Sequence, residues 1–559
     1  MRPTSRLVAA FAAATALLTS VSAIQTVSRA GRYLYTADGT RFFIKGVAYQ
    51  EQGAIANDPN NPFLEPSDFI DPLADGAACT RDLPFLQQLG INAIRVYSVD
   101  STQNHDSCMS TFSNAGIYTI IDLSLPVNGS IDRDSPAWTT NLLDLYINTI
   151  DVFSKYDNVL AYNVGNEVVI APNGTAAAAY IKAAARDTKA YLASKSSTAL
   201  VGYAAIDGDD SWLTPLANYL SCDTTGDNSG NNAIDLFGLN NYEYCGAASA
   251  SAYDGTNTAF QNYNIPAYFS EFGCITSPPR LWTEVQVLFA TPMSNIWSGG
   301  LAFSYFPATS SQGQFGMTTI SADNTTVTPN ADFDALKTQY ALVQFPTTPA
   351  QSSAGSTSYP TCPVADGVNF LASTTLPPTP NDAACSCLMD VLSCQFTPPA
   401  TADVSLTVGP LLDEACGLLG QNGGSCDSIA GNGSTGSYGT VAFCDPSTKL
   451  SFVMSEFYEA TNRNVQSCSF GGNATINVNA PSSVANANAA ATSCLSNPSA
   501  TFTPTAPSAG AGGSSGSSGG SSGSGSGSKA NGAVSDRALV GAGLITLLSV
   551  AAGVFTVMA

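Results

Sequence analysis

One histidine, His105, serves the whole 559-residue chain. That scarcity excludes a multi-histidine metal centre, and a histidine-dependent triad would rest on His105 alone. Its polar surroundings, STQNHDSC, read as an exposed loop with no catalytic part. Charge is scarce too: 11% of residues are Asp, Glu, Lys or Arg, with 42 acidic against 20 basic and a formal net charge of −22. No basic block occurs anywhere, which argues against nucleic acid as a partner. No Gly-rich phosphate turn follows the first apolar run, and paired CxxC clusters are missing, so neither a cofactor nor a metal is expected. Chemistry is left to carboxylates.

The two ends carry targeting signals. Arg2 and Arg6, an apolar stretch from Leu7 to Leu18 and the small-residue site Val21-Ser22-Ala23 read as a signal peptide over 1–23. The fourteen cysteines form an even set, consistent with seven bridges in an oxidising compartment. Five Asn-x-Ser/Thr sequons begin at Asn128, Asn173, Asn324, Asn432 and Asn473, and glycosylation is expected at some of them. Residues 511–528, AGGSSGSSGGSSGSGSGS, form a flexible linker. Small residues at 531–533, a short polar spacer and an apolar tail over 538–559 match a GPI-attachment signal, with Asn531 or Gly532 as acceptor. A single transmembrane helix is the alternative. Either one tethers the protein to the outer face of a membrane.

Between about 30 and 310, eight short apolar runs alternate with helix-like segments. The runs are 41–49, 91–99, 118–125, 159–167, 198–206, 235–244, 265–273 and 300–306. Near-continuous apolar strands imply burial on both faces and a parallel sheet. Eight such units predict a (β/α)8 barrel, a TIM-type α/β fold, over 24–350. A doubly wound open sheet is the runner-up. Residues 351–380 are Ser/Thr/Pro-rich and read as a linker. A cysteine-dense module follows over 381–496, with Cys385, Cys387, Cys394, Cys416, Cys426, Cys444, Cys468 and Cys494. Four bridges would staple a module too small to rely on its core alone, and spacing leaves their connectivity open. A Ser/Gly-rich linker (497–530) and the anchor signal (531–559) complete the chain.

Barrel enzymes place catalytic groups at the C-terminal ends of their strands. Glu167 closes the fourth run, VLAYNVGNE, and Glu271 the seventh, IPAYFSEFG. Two carboxyl groups about 5–5.5 Å apart are what a retaining glycosidase requires. One protonates the leaving oxygen and the other attacks the anomeric carbon. Asn166 is placed to donate to a sugar 2-hydroxyl. Tyr97, Tyr242, Tyr244 and Tyr305, at or near other strand ends, suit sugar stacking or orientation of the nucleophile, although core packing is the plainer role for Tyr244.

FFIKGVAYQ, IRVYSVD, YNVGNEV, NNYEYCG, FSEFGC and PPRLWTEVQVLF…IWSGGLAFSYF together resemble the fungal β-1,3-glucanosyltransferases of glycoside hydrolase family 72, over roughly 27–350. The cysteine module resembles the carbohydrate-binding module of family 43. The resemblance implies Glu167 as acid/base and Glu271 as nucleophile. It puts Asn166, Tyr97, Tyr242 and Tyr305 on donor-site positions, with Gln50 and Asp122 as further candidates. It also implies the pairs Cys79–Cys108, Cys222–Cys362 and Cys245–Cys274. One departure stands out: Tyr244 precedes Cys245 where the family pattern has Trp, which would alter a sugar subsite.

The activity so implied is cleavage of an internal β-1,3 linkage and transfer of the donor to the non-reducing end of a second glucan. The expected product is elongated cell-wall glucan, made by a monomer anchored to the outer leaflet of the plasma membrane. Two alternatives stay open. The same glutamates could serve a purely hydrolytic endo-β-1,3-glucanase, or the barrel could be an inactive wall-binding glycoprotein. The cysteine module either binds glucan or braces the barrel, since aromatics such as Phe457 and Tyr458 suit both.

Overall fold

The computed structural model describes residues 24–56, 64–126, 129–398 and 404–496. The signal segment, Asn128, the C-terminal linker and Asn531 lie outside the described residues.

Eight parallel strands close into a barrel: β1 (Ile44–Ala48), β2 (Ala93–Val96), β3 (Tyr118–Asp122), β4 (Val159–Asn166), β5 (Leu200–Ile206), β6 (Leu236–Asn240), β7 (Ala267–Phe272) and β8 (Trp297–Ala302). β8 pairs with β1 to complete the ring, Gly299 facing Ile44 and Leu301 facing Gly46. Every residue of β3, β6, β7 and β8 is buried, because the barrel interior covers one face and the helices the other. The helices are α1 (Gly76–Leu89), α2 (Asp106–Asn114), α3 (Thr140–Phe153), α4 (Ala178–Ser194), α5 (Asp210–Ser221), α6 (Asp254–Phe260), α7 (Glu284–Leu288) and α8 (Ala331–Ala341). Local chemistry sets their ends. Asp75 caps α1 by accepting from Ala77 and Ala78 N–H, and Gly90 stops it in the left-handed region at φ 61°.

β8 begins three residues earlier than its apolar run suggests. Ser298-Gly299-Gly300 looks like a turn, yet it is strand. A Cβ on Gly299 would lie 2.1 Å from the Ile44 carbonyl oxygen, so glycine is what lets β8 approach β1. The strand therefore ends at Ala302, which leaves Tyr305 beyond the rim.

A three-stranded antiparallel sheet (Val27–Ala30, Tyr33–Thr36, Arg41–Phe42) seals the other end of the barrel. Its Val27, Leu34 and Phe42 cluster with Ile44, Tyr118 and Leu236 at the start of their strands. The C-terminal end is left for the site.

His105 is not an exposed loop residue. It is wholly buried at the start of α2, with Nε2 2.7 Å from Asp71 and its ring against Phe153. Residues 351–380 are not a free linker either. Phe370 is buried against Tyr219, Leu371 N–H donates to Thr175, and Cys362 is bonded to Cys222 at the end of α5.

Among the described residues the cysteine module has four α-helices (Asp382–Val391, Val404–Gln421, Pro446–Ala460, Val484–Cys494) and pairs Cys394–Phe396 with Ala474–Ile476. Phe443, Leu450, Phe457 and Tyr458 belong to its own core, which leaves Phe457 and Tyr458 unavailable as sugar platforms. It rests on the barrel through Thr140 N–H to the Phe443 carbonyl, 2.9 Å, and through Tyr438 edge-on to Tyr180. The bridges are Cys79–Cys108, Cys222–Cys362, Cys245–Cys274, Cys385–Cys444, Cys387–Cys494, Cys394–Cys468 and Cys416–Cys426. Asn173, Asn324 and Asn432 are exposed, whereas Asn473 is half-buried with Nδ2 donating to the Phe470 carbonyl. Among the described residues no helix is long and apolar enough to cross a membrane.

Candidate active site

Glu167 follows the last residue of β4 and Glu271 lies near the end of β7, both at the open rim. Glu167 adopts φ 49°, a left-handed conformation unusual for a residue with a side chain. Two backbone bonds hold it there: its N–H donates to the Ala204 carbonyl on β5, 2.8 Å, and its own carbonyl accepts from Arg133 Nε, 2.9 Å. Strain fixed in this way belongs with function more often than with stability.

One polar network carries both carboxylates. Asn240, the last residue of β6, donates from Nδ2 to Glu167 Oε1 at 2.6 Å and to Asn166 Oδ1 at 3.1 Å. Its own Oδ1 accepts from Ser270 at 2.7 Å. Arg95, wholly buried on β2, spans the floor between them. It reaches Asp122 through Nε and Nη2, Asn166 through Nη2 at 2.8 Å, and Glu271 Oε1 through Nη1 at 3.3 Å. Tyr97 and Tyr242 donate to the two oxygens of Glu271, each at 2.8 Å. The nucleophile candidate thus receives three donors, against one amide on Glu167.

Burial pushes the Glu271 carboxyl up to about 7, opposed by Arg95 and reinforced by the charge of Glu167. Burial also raises Glu167, opposed by the Asn240 amide. Both shifts favour keeping a proton at the site. The donors decide where it sits. A protonated Glu271 would turn one of its phenol donors to no use, whereas Glu167 can carry the proton and keep Asn240 on its other oxygen. Glu271 ionised and Glu167 protonated is what a retaining glycosidase needs.

The remaining sequence candidates divide. Asn166 Oδ1 takes Arg95 and Asn240, and no described residue accepts from its Nδ2, which leaves that end for a ligand. Gln50 has both ends of its amide engaged by backbone groups. Its Oε1 accepts from the N–H groups of Tyr97 and Ser98, and its Nε2 donates to the Glu51 and Ile70 carbonyls, so it fixes the loop that carries Tyr97. Asp122 is buried beneath Arg95 and Asn163 and supports the network from below. Tyr305 is a correction: it is wholly buried against Tyr49 and Phe306, away from the carboxylates. The half-buried aromatic beside the site is Phe303, edge-on to Tyr97 at 6.2 Å. Tyr244 is also core, 5% exposed and stacked on Tyr253, so it shapes no sugar subsite. Arg95, Asn240 and Phe303 escaped the sequence reading. The only signal for Arg95 was a charge inside an apolar strand, IRVYSV.

A family model described as glucanosyltransferase, glycoside hydrolase family 72, matches residues 13–344, and an X8 domain model matches 392–475. The chain is 37% identical over 457 residues to the 1,3-beta-glucanosyltransferase gas1 of Schizosaccharomyces pombe, covering 80% of this chain and 78% of that one. It is 35% identical over 447 residues to the 1,3-beta-glucanosyltransferase GAS2 of Saccharomyces cerevisiae, covering 78% and 77%. The solved structure of Saccharomyces cerevisiae Gas2p with laminaritriose and laminaritetraose is similar at TM-score 0.71 and 34% identity, covering 82% of this chain and 98% of that one. A glutamate-to-glutamine variant of that protein with laminaritetraose and laminaripentaose gives TM-score 0.72 at 32% identity, covering 84% and 99%. The chain belongs to the glucanosyltransferases of glycoside hydrolase family 72.

Proposed function

We propose that this protein is a retaining β-1,3-glucanosyltransferase that cleaves β-1,3-glucan and joins the donor fragment to the non-reducing end of a second β-1,3-glucan. The observation that carries the proposal is the pair of half-buried Glu167 and buried Glu271 on one hydrogen-bonded floor, in a fold shared with a yeast relative that holds laminarioligosaccharides.

Glu271 attacks the anomeric carbon, forming a carboxylate–C1 bond as the C1–O glycosidic bond breaks. Glu167 gives its proton to the departing oxygen, and the reducing-end fragment leaves. The ionised Glu167 then takes the proton of an acceptor hydroxyl, whose oxygen displaces Glu271 from C1. Configuration is retained and Glu271 returns as carboxylate. Asn166 Nδ2 is positioned for the donor 2-hydroxyl, a contact that strengthens as charge develops at C1. No cofactor or metal enters any step.

Location belongs to the same proposal. A secreted enzyme anchored by GPI to the plasma membrane and acting on the cell wall is supported by the two terminal signals in the sequence. The seven disulfides, which leave no described cysteine free, support an oxidising compartment.

Incubation with one defined laminarioligosaccharide tests the proposal. Products longer than the substrate are expected, and Glu271→Gln and Glu167→Gln abolish them. Exclusively shorter products would reduce the enzyme to an endo-β-1,3-glucanase. Full turnover by Glu271→Gln would remove the catalytic assignment altogether.

A further inference from the structure

Both phenols on Glu271 are backed by aromatic rings. Phe303 sits edge-on to Tyr97 at 6.2 Å, Phe315 packs on Tyr242 at 5.5 Å, and the two phenylalanines meet at 5.2 Å. These rings come from different segments. Phe303 follows β8, while Phe315 lies in the excursion between β8 and α8. Backbone bonds join the two segments just beyond these rings, Met317 N–H donating to the Ser304 carbonyl at 3.0 Å, and leave the carbonyls of Phe303 and Phe315 themselves for a side chain to hold.

Arg280, in the loop between β7 and α7, does so. Its Nη1 donates to the Phe303 carbonyl at 2.8 Å and its Nη2 to the Phe315 carbonyl at 2.7 Å. Nε binds Asp332 in the first turn of α8 at 3.1 Å, and the guanidinium lies 4.3 Å from the Trp282 ring centroid. Trp282 is fixed in turn, with Nε1 donating to the Asp332 carbonyl and its ring against Gly273, where a Cβ would approach within 2.4 Å. Arg280 is 5% exposed. Its planar fork satisfies two carbonyls and a carboxylate at fixed angles, which the ammonium of a lysine cannot reproduce.

We infer that Arg280 is a positioning residue for catalysis: by clamping the carbonyls of Phe303 and Phe315 it sets the two rings that hold the Tyr97 and Tyr242 phenols on Glu271. It touches no substrate. The inference rests on Glu271 being the nucleophile, and a loosened clamp leaves that carboxylate with poorer donors. The proton affinity of Glu271 then rises, and the acidic limb of the rate profile moves to higher pH.

The test measures kcat and KM for consumption of a laminarioligosaccharide across pH, whether by transfer or hydrolysis, in the full-length protein. Arg280→Lys is compared with Tyr242→Phe and with the double variant. Arg280→Lys is expected to lower kcat roughly ten- to hundredfold with KM changed less, as misplacement by a fraction of an ångström does. Its acidic limb should rise by about one pH unit. Because the Arg280 effect runs partly through the Tyr242 phenol and partly through Tyr97, the double variant should shift further than Tyr242→Phe but by less than the sum of the two single shifts. Phe315→Leu, which leaves Arg280 in place, is the second probe and should raise the limb in the same direction. A folded Arg280→Lys with an unmoved limb, or fully additive shifts in the double variant, overturns the inference. An unmoved limb in Tyr242→Phe itself would instead overturn the role given to Glu271.

Discussion

Tyr242→Phe removes one atom from the site and nothing from the packing. The lost oxygen donates to Glu271 Oε2 at 2.8 Å, and the ring keeps its contact with Phe315. A hydrogen bond to a charged group is worth about 1.5–3 kcal/mol. All of it favours the ionised carboxylate, so its loss raises the proton affinity of Glu271 by about 1–2 pH units. On the proposed mechanism the enzyme is active only when Glu271 is ionised and Glu167 keeps the proton. The acidic limb of kcat/KM should therefore move upward by that amount. One unit below the original midpoint, turnover falls by about ten- to a hundredfold, and the loss shrinks as pH rises. Initial rates on a laminarioligosaccharide from pH 3 to 9 read this directly, with Tyr97→Phe shifting the limb the same way. An unchanged limb, or one displaced downward, would show that the phenols do not govern the charge of Glu271.

Glu271→Gln should be inactive yet more heat-stable at pH 7. Burial raises the folded carboxyl to about 7, so its stability contribution is full below the unfolded value and is lost as pH rises through 7, a loss that glutamine escapes. A gain of about 1–3 kcal/mol at pH 7, vanishing near pH 4, is expected in thermal melts. Asp144 on α3 obeys the same sign: burial, with Asp382 and Asp445 of the cysteine module nearby, pushes it up to about 7. Asp144→Asn should stabilise the protein above pH 7 by about 1–2 kcal/mol once solvent screening is allowed for, and by nothing near pH 3. Tyr305→Phe should leave KM unchanged within twofold and cost at most about 1.5–3 kcal/mol of stability, because the partner of its buried hydroxyl is the Asp82 carboxylate and not a group of the site. Gln50→Leu strands two N–H groups and two carbonyls. It should cost about 1–3 kcal/mol of stability and lower kcat more than it alters KM.

The pair Glu167 and Glu271 was legible because a carboxylate closing an apolar strand has few structural excuses, and two such strands at barrel spacing have fewer. Tyr97 and Tyr242 were legible for the same reason, as polar tips on core strands. Register was harder. Ser298-Gly299-Gly300 carries no apolar pattern, and its strand character comes from the closeness of β1, a tertiary fact. That slip put Tyr305 at the rim in place of Phe303. Arg95 and Asn240 were invisible for a different reason. A buried guanidinium makes sense only when Asp122, Asn166 and Glu271 surround it, and they come from three other strands. His105 misled because its neighbours in sequence are polar while its neighbours in space, Asp71 and Phe153, are not adjacent in the chain.

The link from Cys222 to Cys362 spans 140 positions and works as a hasp. A protease that nicks the exposed stretch around 342–361 would separate two polypeptides in name only. The sulfur tie would keep the cysteine module latched to the barrel until a reductant arrived, so clipping under oxidising conditions should leave a working enzyme.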